Sequence, residues 1–427
     1  MTLHPSAVGC CGIQRVFVSL ANPKGRFAIS RKWITSVALL GISCFLRAAD
    51  QTPVAPSPAE WVDPATGHRV IQLTQEPGSA SLYFHQNAYT ASGDKMVITT
   101  PEGLSVINLQ TRKVAPLVEG HTSAAVVGKK SRSVYYFKGD SVYVTNIDTG
   151  DTRLIATNGE LRSGAGLTVN ADETLLAGSY VVGGNINLNA AAPRPPAPAD
   201  SYPGKEDMME RRLAAHLPMG LYTINVKSGE VNVFFHSTDW LGHVQFSPTD
   251  PTLLMFCHEG PWHKVDRIWN IRTDGSNLTL IHKRTMDMEI AGHEFWNPDG
   301  KIVWFDLQTP KGKEFWLAGV VLATGKKIRY RVPRDQWSVH YNVSPNGKLF
   351  SGDGGGPDSV AAPGNGQWIY LFHPKHGALQ AEKLVDLSKH DYKLEPNATF
   401  TPDQKWLVFR SNISGVTQVY AVEISKK

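Results

Sequence analysis

The stretch Trp296-Asn297-Pro298-Asp299-Gly300, followed by Lys301-Ile302-Val303-Trp304-Phe305, reads as a tight turn feeding a strand. Proline presets φ at the start of such a turn, and Asp, Asn and Gly tolerate the positions that follow. The same phrase returns at Phe246-Ser247-Pro248-Thr249-Asp250, Val343-Ser344-Pro345-Asn346-Gly347 and Phe400-Thr401-Pro402-Asp403. Looser copies stand at Thr90-Ala91-Ser92-Gly93-Asp94 and Val169-Asn170-Ala171-Asp172, with a degenerate one near Gly128–Tyr136. Each copy precedes an outer strand pair of alternating β-branched and aromatic residues. Examples are Val142–Ile147 closed by Asp148-Thr149-Gly150, and Leu221–Val226 closed by Lys227-Ser228-Gly229. A unit of about 45–60 residues with four strands is the signature of a propeller blade. The expectation is an all-β chain folded as a seven-bladed β-propeller; paired sandwiches or a β-helix are the competing architectures.

The two ends predict how the ring closes. The C-terminal unit supplies Trp406–Phe409 and Val419–Val422 and then stops, while His68–Leu73 is a lone strand after the turn Asp63–Gly67. An N-terminal strand that completes the last blade would leave no exposed edge there. The propeller is therefore expected to span residues 60–427, interrupted by an insertion over 183–218. That insertion starts rich in Ala, Pro and Asn and ends in a helical stretch with Arg211, Arg212 and His216. Upstream, basic residues ending in Arg31-Lys32 precede the apolar run Trp33–Leu46 and the small residues Ala48-Ala49. This is the layout of a signal peptide over 1–49, followed by a Pro-rich linker over 50–59, so the mature protein is expected to be periplasmic or secreted.

Composition narrows the function classes. The 427 residues are 41% hydrophobic and 19% charged, as in a folded soluble protein, with a formal net charge of +5. Positive residues are scattered, with no basic stripe and no interleaved aromatics, which argues against nucleic acid as a partner. No membrane association beyond export is expected. Cys10, Cys11 and Cys44 fall in the leader and leave Cys257 alone, excluding an intramolecular disulfide and a Cys-based zinc cluster in the mature chain. Oligomeric state is not legible.

Polar residues gather where the blades begin. His243, His293, His340 and Asn397 each stand just before a Pro turn, so they occupy corresponding positions in successive blades and should converge on the axis. Imidazole, carboxylate and amide oxygen together suit a borderline or hard divalent ion such as Mn, Ca or Zn. Further polar groups flank these positions in Cys257-His258-Glu259-Gly260-Pro261-Trp262, Asp266-Arg267, and Tyr392-Lys393-Leu394-Glu395-Pro396-Asn397.

Two motifs, Cys-His-Glu-Gly at 257–260 and His-Glu-Phe-Trp at 293–296, carry a specific resemblance. With Trp240–Gly275, the opening Asp63–Thr74, Tyr83–Thr90 and the closing Phe400–Asn412, the chain resembles the oligogalacturonate lyases of pectin degradation. The resemblance runs from about residue 60 to the C-terminus. It implies a seven-bladed propeller with a manganese-type ion, in which His243 matches the catalytic base and His293 the first metal ligand. Two departures stand out. The family's Gln-x-x-His-x-His ligands are replaced by Tyr392 through Asn397, and its catalytic arginine falls where Pro218–Gly220 stand.

The chemistry explains the residue types. Eliminating across the C4–O bond of a uronate removes a proton beside a carboxylate, whose charge a cation must neutralise. A neutral imidazole suits the base. The expected reaction is therefore metal-assisted β-elimination of short uronate-containing oligosaccharides. His243 is the expected base and Arg212 the stand-in for the absent arginine. His293, His340, Glu395 and Asn397 are the expected ligands of a divalent Mn or Ca ion, and Arg211, His258, Glu259 and Arg267 are expected to contact substrate. A propeller that binds carbohydrate or protein without chemistry, or a hydrolase using Glu259 and Glu294, are the alternatives.

Overall fold

A computed structural model describes residues 59–163, 166–184, 206–357 and 366–426, with 359, 361, 362 and 364 between the last two stretches. The expected leader, nearly all of the linker and the Ala/Pro-rich part of the insertion lie outside the described residues. Among those described, no helix is long and apolar enough to cross a membrane.

Seven antiparallel sheets succeed one another along the chain. Blades two to six are each an up-and-down run of four strands with innermost strands Ser123–Val127, Thr168–Val169, Trp240–Phe246, Ile290–Trp296 and Tyr341–Val343. Blade seven has five strands. Thr399–Phe400, Trp406–Ser411 and Gln418–Glu423 come from the C-terminus, and Arg69–Gln72 and Glu60–Val62 from the N-terminus, with Val70 opposite Val422. The ring thus closes at the expected seam with two N-terminal strands.

Six of the hydrophobic clusters lie between blades. Val126, Tyr135 and Leu176 join blades two and three, Leu221 and Phe256 join three and four, and Ile369, Phe409 and Tyr420 join six and seven. A strand packed on both faces needs no polar alternation. Ile302–Gln308, in the middle of blade five, is accordingly buried along nearly its whole length, whereas the outermost Lys326–Arg331 alternates toward solvent.

Blade one departs from the four-strand expectation. Its sheet holds Lys95–Thr100, Gly103–Asn108 and Val114–Glu119, and the segment inside them pairs only through Ala80 with Thr99 and Tyr89 with Met96. Between these bridges the chain carries Tyr83, Phe84 and His85 to the axis. Side-chain amides supply the bonds a strand partner would have made: Phe84 N donates to Asn397 Oδ1 at 3.0 Å, and Phe84 O accepts from Asn342 Nδ2 at 3.0 Å. Within the insertion lies the helix Glu206–Ala215, whose Met209 packs with Trp262 and Ile290.

Candidate functional site

The innermost strands of blades four and five break register after Gly242 and Gly292. His243 and His293 occupy the bulges at φ 47° and 46°, and Asn397 takes φ 54° in blade seven. Left-handed backbone is uncommon for a residue with a side chain, and bulges of this kind re-aim side chains at functional sites. Each glycine gives a carboxylate room, since a Cβ at 242 would meet Glu259 Oε2 at 3.1 Å and one at 292 would meet Asp306 Oδ1 at 3.1 Å.

Around His243 lies a buried charge cluster. Arg267, 3% exposed, donates through Nε to Glu294 Oε2 at 2.9 Å and through Nη1 to Glu259 Oε1 at 3.4 Å. Its Nη2 lies 3.5 Å from His243 Nδ1, but that nitrogen is closer to Glu294 Oε1, at 3.2 Å. Carboxylates flank both ring nitrogens, Glu294 Oε1 at 3.2 Å from Nδ1 and Glu259 Oε2 at 3.8 Å from Nε2, and the nearer one favours the ring proton on Nδ1 with Nε2 as the lone pair. Burial alone would push the Glu294 carboxyl up, but Arg267 and His243 outweigh it and hold the group well below the usual carboxylate range. Glu259 is likewise held down, with burial opposed chiefly by Arg267. His258 points elsewhere: Nδ1 is 3.2 Å from Asp239 Oδ2, and the ring stacks on Trp269 with centroids 5.0 Å apart.

Blades five and six carry two matched pairs. His293 Nδ1 lies 2.8 Å from Asp306 Oδ1, and His340 Nδ1 lies 2.8 Å from Asp353 Oδ2, with both acids buried. The two imidazoles stand 4.7 Å apart between centroids, and His340 Nε2 is 3.7 Å from Glu395 Oε2 and 3.3 Å from the Tyr83 hydroxyl. Burial lowers the pKa of His293 against the pull of Asp306, so its Nε2 is kept as a lone pair. At His340 burial works in the same direction, but Asp353 and Glu395 prevail and raise the pKa. A carboxylate hydrogen-bonded to each Nδ1 orients the ring and leaves Nε2 available, as at metal-binding histidines. His293, His340 and Glu395 thus bring two imidazoles and a carboxylate into one region, but their donor atoms do not all lie within 4.8 Å of one another, so a shared ion would have to draw them closer.

Asn397 sits beside this set with both ends of its amide engaged. Its Oδ1 accepts from Phe84 N and its Nδ2 donates to Glu395 O at 3.0 Å, while its backbone N–H bonds Asp353 Oδ2 at 3.1 Å. Its side chain fastens Phe84 and Glu395 beside His293 and His340. A second group of donor atoms, from His243, Cys257 and Glu294, lies within 4.8 Å of one another. Burial pushes the Cys257 thiol well up, and Arg267 already neutralises Glu294, so that cluster suits a cation less well.

Two elements complete the surroundings. Arg212, on the helix Glu206–Ala215, lays its guanidinium 3.5 Å over the ring of Trp240, which begins the strand carrying His243. Its Nε is buried with no hydrogen-bond partner among the described residues. Arg211 is half-buried on the same helix. From blade one, the Tyr83 ring lies 5.8 Å from that of His243, and the His85 ring lies 5.5 Å from it. Burial and the neighbouring His243 push the His85 pKa down to about 3, so this imidazole is neutral. Sequence reasoning gave Tyr83 and His85 no role, and likewise passed over Asp306 and Asp353. The available signal was a lone acid at the end of otherwise apolar or small runs, Ile302–Phe305 and Phe350–Gly352.

Comparison with known proteins agrees with the fold. The family model described as oligogalacturonate lyase matches residues 54–427. An oligogalacturonate lyase of Dickeya dadantii is 25% identical over 393 residues, covering 85% of this chain and 95% of that protein. An oligogalacturonide lyase of Pectobacterium atrosepticum is 24% identical with the same coverage. Among solved structures, the oligogalacturonate lyase of Vibrio parahaemolyticus superimposes with TM-score 0.70 at 24% identity, covering 86% of this chain and 96% of that one. An oligogalacturonate lyase in complex with manganese gives TM-score 0.72 at 22% identity, covering 87% and 97%. On the match over nearly the whole described propeller, the chain belongs to the oligogalacturonate lyase family.

Proposed function

We propose that this chain is a lyase that cleaves short uronate-containing oligosaccharides by metal-assisted β-elimination. The observation that carries the reading is the His243–Glu294–Arg267 arrangement beside the His293, His340 and Glu395 set. The Glu294 carboxylate, 3.2 Å from Nδ1, favours the ring proton on that nitrogen, so that His243 Nε2 is the acceptor for the C5 proton. The C–H electron pair becomes the C4=C5 double bond, the C4–O bond breaks, and the oxygen leaves on the neighbouring sugar and is protonated by water. His293, His340 and Glu395 are the residues that would hold a divalent ion, manganese in keeping with the related structure or calcium. When bound, such an ion supplies positive charge against the uronate carboxylate, which makes the C5 proton acidic. Arg212 stands in for the family arginine, its unpartnered Nε offering a donor for a carboxylate oxygen. Arg267 is held between two acids, which fits it for positioning His243 rather than for contacting substrate.

The test follows the ultraviolet absorbance of unsaturated uronate released from saturated oligogalacturonides. His243→Ala should lower turnover by at least about 10²-fold with metal content unchanged. His293→Ala should lose metal and activity together. A His243→Ala variant with near wild-type turnover removes the base assignment. A metal-loaded wild type that yields no unsaturated product from any oligouronide removes the lyase reading and favours a binding propeller.

A further inference from the structure

The axial ring is lopsided. Five residues before the turn position occupied by Pro248, Pro298, Pro345 and Pro402, blades four to seven carry His243, His293, His340 and Asn397. At the same place blade two carries Ala124 and blade three Gly166, with φ of 53° and 81°, close to the left-handed backbone of His243 and His293. The missing side chains leave a hollow of about 340 Å³ that reaches His243 and is lined by Tyr83, His85, Gln86, Ser123, Ala124 and Phe137, among others. That volume is at the small end of ligand clefts, roughly 300–1,000 Å³. None of its described lining residues is Lys, Arg, Asp or Glu. Every other polar group there is neutral: a phenol, an amide, a hydroxyl and the imidazole of His85.

We propose that this hollow is the subsite for the sugar that leaves, and that it recognises a pyranose ring and its hydroxyls without requiring a carboxylate. The inference rests on the lyase reading above. The uronate that loses its proton would turn its carboxylate to the His293, His340 and Glu395 side of His243, the residues that would hold an ion. Its C4 oxygen then lies toward the opposite flank of the base, where the hollow opens. A sugar placed there meets the Phe137 and Tyr83 rings and uncharged donors and acceptors, with no cation among the described lining residues to demand a second acid group. The chain should therefore cleave a neutral hexose from O4 of a uronate about as well as it cleaves one uronate from another.

The experiment compares manganese-loaded protein on a digalacturonide and on a disaccharide with a neutral hexose linked to O4 of galacturonate, following unsaturated product. Wild type should show kcat/KM values within about tenfold of each other. Ala124→His fills the hollow with a side chain that His243 and His293 already carry at this backbone conformation. It should lower kcat/KM on both substrates by at least about tenfold, through KM, with melting temperature and metal content unchanged. Ala124→Asn, a smaller filling compatible with the same φ, should give an intermediate loss and guards against a variant that does not fold. A site with a built carboxylate partner would reject the neutral sugar by about 10⁴-fold, so discrimination on the order of 10³-fold or more overturns the proposal while the lyase reading stands. Unchanged KM in folded Ala124→His overturns it as well. If wild type cleaves neither substrate, nor any other oligouronide, the lyase reading has failed and the subsite falls with it.

Discussion

Glu294→Gln separates the orientation of the base from its presence. Glu294 uses Oε2 to accept from Arg267 Nε at 2.9 Å and turns Oε1 to His243 Nδ1 at 3.2 Å. An amide nitrogen cannot accept a hydrogen bond, so the Gln oxygen must take the Arg267 side and its NH2 must face Nδ1. His243 then has to accept at Nδ1 and carry its proton on Nε2, the atom that should be the base. The amide-for-carboxylate exchange in the Ser-His-Asp triad inverts a tautomer in the same way, at a cost of about 10⁴ in kcat. Here kcat should fall by about 10²–10⁴-fold with KM little changed. Folding should be weakened by about 1.5–3 kcal/mol, because the ion pair with Arg267 becomes a hydrogen bond from a cation to a neutral amide. Glu294→Ala should be worse for folding, by about 3–5 kcal/mol, since it leaves the buried Arg267 Nε without its acceptor. Steady-state kinetics on an oligogalacturonide, thermal melts and nitrogen NMR of the His243 tautomer are the assays. Folded Glu294→Gln with kcat within about threefold of wild type would refute the orienting role.

Three further outcomes follow from other parts of the molecule. Asp353→Asn removes the carboxylate behind His340 and should weaken divalent-ion binding by about 10–100-fold in calorimetric titration, leaving the fold intact. Arg132 grips Asp94 with two bonds of 2.8 Å and also holds Asp148, tying blade one to blade two. Chiefly because of Arg132, the Asp148 pKa falls from 3.8 to about 2, so its contribution is present above pH about 4 and is lost as pH falls toward 2. Asp148 is 37% exposed, which keeps the effect small, and Arg132→Ala should flatten this acid limb in pH-dependent melts. Deleting residues 59–73 strips two strands from blade seven and bares the edge Gln418–Glu423, and should give aggregated protein in place of a monodisperse species on size-exclusion chromatography.

The blades were legible because turn chemistry is local: Pro298-Asp299-Gly300 and its copies specify their conformation within a few residues. The equivalence of His243, His293 and Asn397 was legible too, since a repeat carries position along with it. Blade one resisted because Tyr83–Asn87 takes its hydrogen bonds from Asn397 and Asn342, more than 250 residues away, and no short-range pattern announces such partners. The same distance hid the occupation of the Asn397 amide, which looks like a ligand in sequence and acts as a clamp in the fold. Asp306 and Asp353 were missed because each serves a histidine across a strand pair, 13 residues away. The hollow was invisible for another reason. Ala124 and Gly166 matter by what they lack, and small residues attract no notice unless their blade position is read against the others.

The seam in blade seven joins the most distant parts of the chain, with Val70 paired to Val422. Contacts of such separation are reached late, because the loop they close carries the largest entropy cost. An equilibrium opening at this seam releases only short strands, so it should be cheaper than unfolding any interior blade, and amide exchange should report it first. Glu395 leads into the same blade, while His293 and His340 belong to the two blades before it. A fluctuation at the ring's weakest joint would therefore loosen the carboxylate before the imidazoles, and ion release would be paced by the breathing of a strand pair that never touches the ion.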